Sequence, residues 1–175
     1  MRRAVISGAT GAIGIALIEL LLEHNIEILV FCRENSLRNS KIPDNPLITK
    51  IFCDLKDFGE FKNIPKVKYD VFFHFAWEGT TGEARNDMYL QNNNVRYALD
   101  AVKLAERLGC KLFIGAGSQA EYGRVEGVLK ADTPANPENG YGIAKLCAGL
   151  MTRERALQVS RLMKEIRALS GIKFS

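Results

Sequence analysis

The sequence predicts a three-layer α/β fold, in which a doubly wound parallel sheet of five or six strands lies between two layers of helices. Short apolar segments alternate along the chain with longer segments of helical periodicity. One of the apolar segments, residues 69–77 (YDVFFHFAW), is hydrophobic almost throughout, as expected of a parallel strand that is covered on both faces. The strand order expected for such a sheet is 3-2-1-4-5, with a sixth strand added at the end.

Length and composition restrict the classes of function. The chain has 175 residues, enough for one domain, and a net charge of +4 that is too small to indicate nucleic-acid binding. It has no apolar run of membrane-spanning length, and its N-terminus reaches a glycine-rich loop too early for a signal peptide. Its four cysteines are scattered and it has two histidines, so we expect free thiols, no metal site and a cytoplasmic location.

The first strand leads directly into a glycine-rich loop. Gly8, Gly11 and Gly14 follow one another at intervals of three, and a helix is predicted over Ala12–Glu23. Glycine permits the turn, and the helix N-terminus directs N–H groups at a ligand, so the loop suits a dinucleotide pyrophosphate in a Rossmann-like fold. The alternative is a glycine-rich turn that packs helix on strand without a ligand. The loop residues assigned to the cofactor are Gly8, Thr10, Gly11, Ala12, Ile13 and Gly14.

The end of the predicted second strand, Glu27–Cys32, carries the signal for the type of dinucleotide. In a Rossmann unit this position meets the adenosine ribose, where an acidic residue would accept from the 2′-hydroxyl of NAD. The first charged residue here is Arg33, whose guanidinium suits the 2′-phosphate of NADP. We therefore expect NAD or NADP, with Arg33 favouring NADP; a solvated surface arginine is the alternative.

A third strand is predicted over residues 47–53, and Asp54 and Leu55, which follow it, are assigned to the cofactor. The Asp54 carboxylate is expected to contact the adenine amine, to cap a helix predicted over residues 56–63, or to do both. The fourth strand, residues 69–77, contains His74, for which we weigh a hydrogen-bonded core histidine against a catalytic one.

Two helices are expected in the second half of the chain. The first covers residues 86–108, and its unfavourable run of three asparagines at 92–94 suggests that one of these amides has a specific role. A fifth strand at 111–117 ends at Ser118, and a long polar loop over residues 124–140 follows. The last helix begins near residues 139–141.

Tyr141 and Lys145 lie four residues apart on the last helix and therefore on one face. A phenol is a poor base at neutral pH unless a neighbouring cation stabilises the phenolate. Ser118 could then hold a substrate oxygen beside Tyr141 while a nicotinamide cofactor accepts a hydride.

The opposite face of this helix is basic, and we interpret it as solvated; its residues are Arg153, Arg155, Arg161, Lys164 and Arg167.

Taken together, these segments resemble the extended short-chain dehydrogenase/reductases, and within them the NAD-dependent epimerase/dehydratase group that acts on nucleotide sugars. The resemblance implies that Ser118, Tyr141 and Lys145 are catalytic and that Asn94 completes the active-site network. It places His74, Phe75, Ala76 and Trp77 along the cofactor, with Tyr141 and Lys145. The matching segments are 7–14 (SGATGAIG), 54–55 (DL), 74–77 (HFAW), 94–95 (NV), 117–123 (GSQAEYG) and 141–145 (YGIAK).

The sequence departs from the family's pattern in three ways. Gln119 and Ala120 stand where the dehydratases of the family carry an acidic pair, so epimerisation or carbonyl reduction is favoured over dehydration. Gly149 replaces a glutamate that many members have. Residues 1–157 correspond to the NAD(P)-binding Rossmann domain, and residues 158–175 are expected to be a helical extension that diverges from the family, with the substrate domain absent.

The function expected from the sequence is therefore NAD(P)-dependent epimerisation or reduction of a nucleotide sugar in bacterial surface-polysaccharide biosynthesis, with this shortened chain expected to have an incomplete active site. The alternatives are a non-catalytic dinucleotide-binding module or relic, a reductase of small carbonyl compounds, and an interaction protein that uses the terminal helix. The family resemblance also implies a homodimer formed by the helix at 86–108 and the Tyr141 helix.

Overall fold

Five parallel strands form the central sheet of the protein. The computed structural model describes the backbone of residues 1–170 and the side chains of residues 1–156. The strand order is β3-β2-β1-β4-β5, and every neighbouring pair is parallel, which confirms the predicted topology. Within residues 1–170 there is no sixth strand. The strands are β1 (Arg3–Ser7), β2 (Glu27–Cys32), β3 (Ile48–Phe52), β4 (Val71–His74) and β5 (Leu112–Gly115).

Helices cover both faces of this sheet, so the three-layer prediction is also confirmed. They are α1 (Ala12–Glu23), α2 (Met88–Arg107) and α3 (Gly140–Ser170). Alternate residues of β1 point to opposite faces. Ile6 belongs to the core that α1 covers, whereas Val5 belongs to the core that α2 covers.

The fourth strand is shorter than predicted, because it ends at His74 rather than at residue 77. The Phe75 N–H still bonds to the Ser7 carbonyl oxygen, but the next residues turn towards α2. Trp77 and Glu78 are bonded there by side chains of α2, so the apolar run continues past the strand into the loop that follows it.

The prediction of a helix over residues 56–63 is wrong, because the structure has only a single 3-10 turn here, at Leu55–Asp57. Gly59 weakens helix formation. Phe58 is 1% exposed and packs its ring edge-on against Phe31, at 5.3 Å between centroids. Burial of this aromatic ring under the sheet therefore decides the local conformation.

The last helix supports the site with its first turns. Val95 and Ala98 of α2 pack against Ala144 and Ala148 of α3. The predicted basic side chains at 161, 164 and 167 lie outside the described side chains, and residues 171–175 lie outside the described backbone. Within residues 1–170, no helix combines the length and the low polarity needed to cross a membrane.

Candidate functional site

A cleft of about 540 Å³ opens at the carboxyl ends of the central strands. It lies where the strand order reverses between β1 and β4, which is the place where open α/β sheets bind their ligands. The cleft brings together residues from four separate segments of the chain that the sequence assigned to the cofactor. They are Gly8, Thr10, Gly11, Arg33, Asp54, Leu55, Phe75, Ala76 and Trp77.

The glycine loop has the form that a pyrophosphate requires. Gly8 has a φ of +78°, and a Cβ there would stand 2.5 Å from the Ala76 nitrogen. A Cβ on Gly14 would stand 2.5 Å from the Gly8 carbonyl oxygen, so this glycine permits close packing of α1 on the loop. Gly11 is the N-cap of α1 and contributes no side chain, which leaves space in front of the first N–H groups of the helix. The loop therefore fits a dinucleotide.

The adenosine end of the cleft is formed by the residues after β2 and β3. Arg33 is exposed, and the Asn39 side-chain amide donates to its carbonyl oxygen at 2.8 Å, which fixes the backbone at this point. Asp54 Oδ1 accepts from the Lys56 N–H at 3.3 Å. The capping role of Asp54 is thus present, although the helix predicted to follow it is only a turn. Its contact with adenine stays a prediction.

His74 is a core histidine with a hydrogen bond. Its Nδ1 lies 2.8 Å from the Ser7 hydroxyl, and the ring is 5% exposed. Burial lowers the pKa of His74 to about 3, with a smaller contribution from the Lys145 charge. The imidazole is therefore neutral, and it joins β1 to β4 directly beneath the glycine loop. Its predicted position along the cofactor stays a prediction.

Lys145 is 6% exposed, and it points back at the end of β5. Its ammonium donates to the Ala116 carbonyl oxygen at 2.9 Å and lies 3.9 Å from the centre of the Trp77 ring. Burial lowers the pKa of Lys145 to about 8, and the Glu121 carboxylate opposes this shift. The lysine thus carries a cation that titrates close to neutral pH beside the predicted catalytic tyrosine.

Tyr141 is half-buried between two side chains of the loop after β4. Its ring meets Trp77 edge-on, with 6.1 Å between centroids, and the Arg85 guanidinium lies 4.3 Å from its centre. Lys145 Nζ lies 5.8 Å from the same ring centre, so the two predicted catalytic groups are neighbours on one helix face. The sequence signal for Trp77 was its place in the apolar strand, whereas nothing in the sequence indicated Arg85.

Ser118 begins a short turn, Gln119–Glu121, that packs on the start of α3. The Ser118 hydroxyl accepts from the Ala120 N–H at 3.2 Å, and Glu121 Oε1 accepts from the Ser118 N–H at 2.6 Å. This capping box fixes the serine backbone. The hydroxyl proton can still be donated to a substrate oxygen, because a hydroxyl accepts and donates at once.

Asn94 is the buried member of the asparagine run, with 1% exposure, whereas Asn92 and Asn93 are exposed. Its amide accepts from the Glu78 N–H and donates to the Glu78 carbonyl oxygen, both at 2.9 Å. Asn94 therefore holds the loop after β4, and its role in the catalytic network stays a prediction. Sequence reasoning missed Gln91, one turn earlier, whose i,i+3 spacing from Asn94 was the available signal.

Comparisons with known proteins identify the family of the chain. The family model described as "NAD dependent epimerase/dehydratase family" matches residues 4–168. The chain belongs to this family. The resemblance read from the sequence is thereby confirmed, and the match continues past residue 157.

One curated relative is the dTDP-6-deoxy-L-talose 4-dehydrogenase (NAD(+)) of Aggregatibacter actinomycetemcomitans. It is 29% identical over 142 residues, which cover 81% of this chain and 50% of the relative. A solved UDP-galactose 4-epimerase is 28% identical with a TM-score of 0.73, over 85% of this chain and 50% of that one. The Bordetella bronchiseptica enzyme WbmG, solved with NAD, shares the fold at 23% identity and a TM-score of 0.72, over 87% of this chain and 49% of that one. This family member thus spans about half the length of these relatives.

Proposed function

We propose that this chain binds a nicotinamide dinucleotide in the cleft and provides the acid–base residues for epimerisation or reduction of a nucleotide sugar. The observation that carries the proposal is the Lys145–Tyr141 pair, which lies against Trp77, and Trp77 also lines the cleft of the glycine loop. The names of two relatives, a dTDP-sugar dehydrogenase and a UDP-sugar epimerase, support the substrate class. By extension, we propose bacterial surface-polysaccharide biosynthesis as the biological setting.

Each residue has a defined task in this proposal. Gly8, Gly11 and the first turn of α1 hold the pyrophosphate, and Asp54 meets the adenine. The cofactor supplies hydride transfer when bound. Tyr141 holds or releases the proton of the reacting sugar hydroxyl, and the Lys145 cation stabilises the phenolate. The Ser118 hydroxyl donates to the same substrate oxygen. Because Gln119 and Ala120 occupy the two positions directly after Ser118, neither position supplies an acid that would protonate a leaving hydroxyl, so dehydration is disfavoured.

Arg33 would decide between NAD and NADP. It lines the cleft at the end of β2, together with Ser36. A guanidinium at this position pairs with a 2′-phosphate, so we propose that the chain accepts NADP as well as NAD. The names of the relatives mention NAD alone, and a solvated role for Arg33 is the alternative.

Calorimetric titration of the purified chain with NAD and with NADP tests the cofactor site. Binding of either dinucleotide supports the proposal, and tighter binding of NADP indicates that Arg33 pairs with the 2′-phosphate. Tyr141→Phe should keep the cofactor affinity and lose whatever slow turnover of sugar nucleotides the parent chain shows. If neither dinucleotide binds, the proposal fails, and a relic without a cofactor site takes its place.

Turnover then separates the enzyme classes. Since the chain spans about half of its relatives, we expect slow or no turnover of sugar nucleotides by this chain alone. Oxidation of the reduced cofactor by simple ketones and aldehydes would instead favour a small-carbonyl reductase. Binding without any turnover would favour a dinucleotide-binding module.

We further propose a homodimer formed through α2 and α3. Ile143 and Leu150 lie seven residues apart on one face of α3, and each is 50% exposed. Met151 is 44% exposed beside them. Such a stripe is suited to self-association. Ile143→Glu together with Leu150→Glu should shift the mass in sedimentation from dimer to monomer, whereas a parent protein that is monomeric at high concentration would contradict the assignment.

A further inference from the structure

Gln91 makes an unusually complete set of hydrogen bonds for a buried side chain. It is 1% exposed on the first turn of α2. Its Oε1 accepts from the indole N–H of Trp77 at 2.9 Å, and its Nε2 donates to the carbonyl oxygens of Gly79 and Ala84, both at 2.9 Å. The amide therefore joins three points of one loop, and a side chain with both an acceptor and two donors is needed to do so.

Trp77 lies between this amide and the predicted catalytic pair. The centre of its ring is 3.9 Å from Lys145 Nζ, and the ring is nearly perpendicular to that of Tyr141, with 6.1 Å between centroids. Among the described residues, no hydrogen bond joins Gln91 to Tyr141 or Lys145. Gln91 reaches Lys145 through the indole, and it reaches Tyr141 both through the indole and through Ala84, whose neighbour Arg85 lies over the Tyr141 ring.

We propose that Gln91 is a positioning residue, which fixes the Trp77 ring against Lys145 and so sets the arrangement of the Tyr141–Lys145 pair. This inference rests on the function proposed above for that pair. An indole fixed in this position excludes water from the Lys145 ammonium, and the face of its ring also attracts the ammonium. If the indole is released, the ammonium regains water and loses its contact with the ring.

The surroundings of Lys145 define what a pH titration would report. Glu121, from the turn after β5, is the negative charge that acts on it, and His74, from β4, is neutral above its pKa of about 3. Tyr141 is its neighbour on α3, and the Ala116 carbonyl oxygen accepts a hydrogen bond from its ammonium. Because burial lowers the pKa of Lys145 to about 8, the ammonium beside Trp77 should lose its charge around that pH.

Trp77 is the single tryptophan of the chain, so intrinsic fluorescence reports on this contact without any need for turnover. The parent emission should titrate with a midpoint near pH 8, and Lys145→Met should abolish the titration. In Gln91→Leu the amplitude should fall by about half or more, because the ring no longer stays on the ammonium. Asn92→Leu, the same substitution at an exposed position of the same helix, should titrate like the parent.

Energy transfer from Trp77 to bound NADH provides the second readout. Gln91→Leu should lower the transfer efficiency at saturating NADH, while Asn92→Leu should not. If the parent binds no NADH, the proposed function fails, but the pH titration still decides the role of Gln91. A Gln91→Leu protein with the parent's titration would overturn the inference, and so would a parent whose emission does not titrate.

Gln91→Met, which has a side chain of similar length, replaces Gln91→Leu if the leucine variant does not fold. Circular dichroism establishes folding before each titration. If neither variant folds, Gln91 is needed for the stability of the loop, and the positioning role is overturned.

Discussion

Gly8→Ala should damage both the fold and the cofactor site. Gly8 has a φ of +78°, and an alanine in the left-handed region costs about 1–2 kcal/mol. The new Cβ would also stand 2.5 Å from the Ala76 nitrogen and 2.7 Å from the Phe75 carbonyl carbon. Both atoms are backbone, so the segments that follow β1 and β4 must separate, at a further cost of about 1–3 kcal/mol.

We therefore expect the free energy of unfolding to fall by about 2–5 kcal/mol, which for a chain of this size lowers Tm by roughly 5–15 °C. Urea and thermal unfolding followed by circular dichroism measure both quantities. The affinity for NAD should fall about tenfold or more, since the loop that holds the pyrophosphate moves.

Gly11→Ala is the matched control in the same loop. Gly11 has a φ of −79°, and a Cβ there would find its nearest neighbour, the Gly8 carbonyl oxygen, at 3.4 Å. The change should cost less than about 1 kcal/mol of stability, mainly through a poorer N-cap, while its methyl group still enters the cleft and weakens NAD binding. Equal unfolding free energies for Gly8→Ala and the parent would refute the reasoning.

Three further changes test other parts of the structure. Arg33→Ala should weaken NADP binding about tenfold and leave NAD binding unchanged in calorimetry; equal losses for both would show that the guanidinium does not read the 2′ position. His74 is neutral when folded, with a pKa of about 3, and charged when unfolded below its ordinary value of 6.5. Between these values the unfolded chain binds one proton more than the folded chain. His74 therefore reduces stability as the pH falls through this window, by at most about 1.4 kcal/mol per pH unit. His74→Asn should flatten this slope in urea titrations, and an unchanged slope would contradict the assignment. Phe58→Ala should cost about 3–5 kcal/mol of stability through the cavity left beneath the sheet.

The sequence by itself determined the sheet order, the two layers of helices and the family. These properties follow from local patterns, since apolar runs, helical periodicity and the glycine loop are each encoded by neighbouring residues. The lining of the cleft by Gly8, Arg33, Asp54 and Ala76 was also predictable, because the ends of parallel strands meet at one edge of a sheet.

Only the tertiary structure decided which side chains of distant segments pack together and which polar groups form hydrogen bonds with one another. Phe58 is drawn into the core and prevents the predicted helix, because burial of an aromatic ring outweighs the local preference of an eight-residue segment. Trp77 leaves the strand, since its indole N–H needs the acceptor that Gln91 supplies from a helix fourteen residues away in sequence. Such contacts depend on the three-dimensional arrangement of distant segments, and no local pattern of residues encodes them.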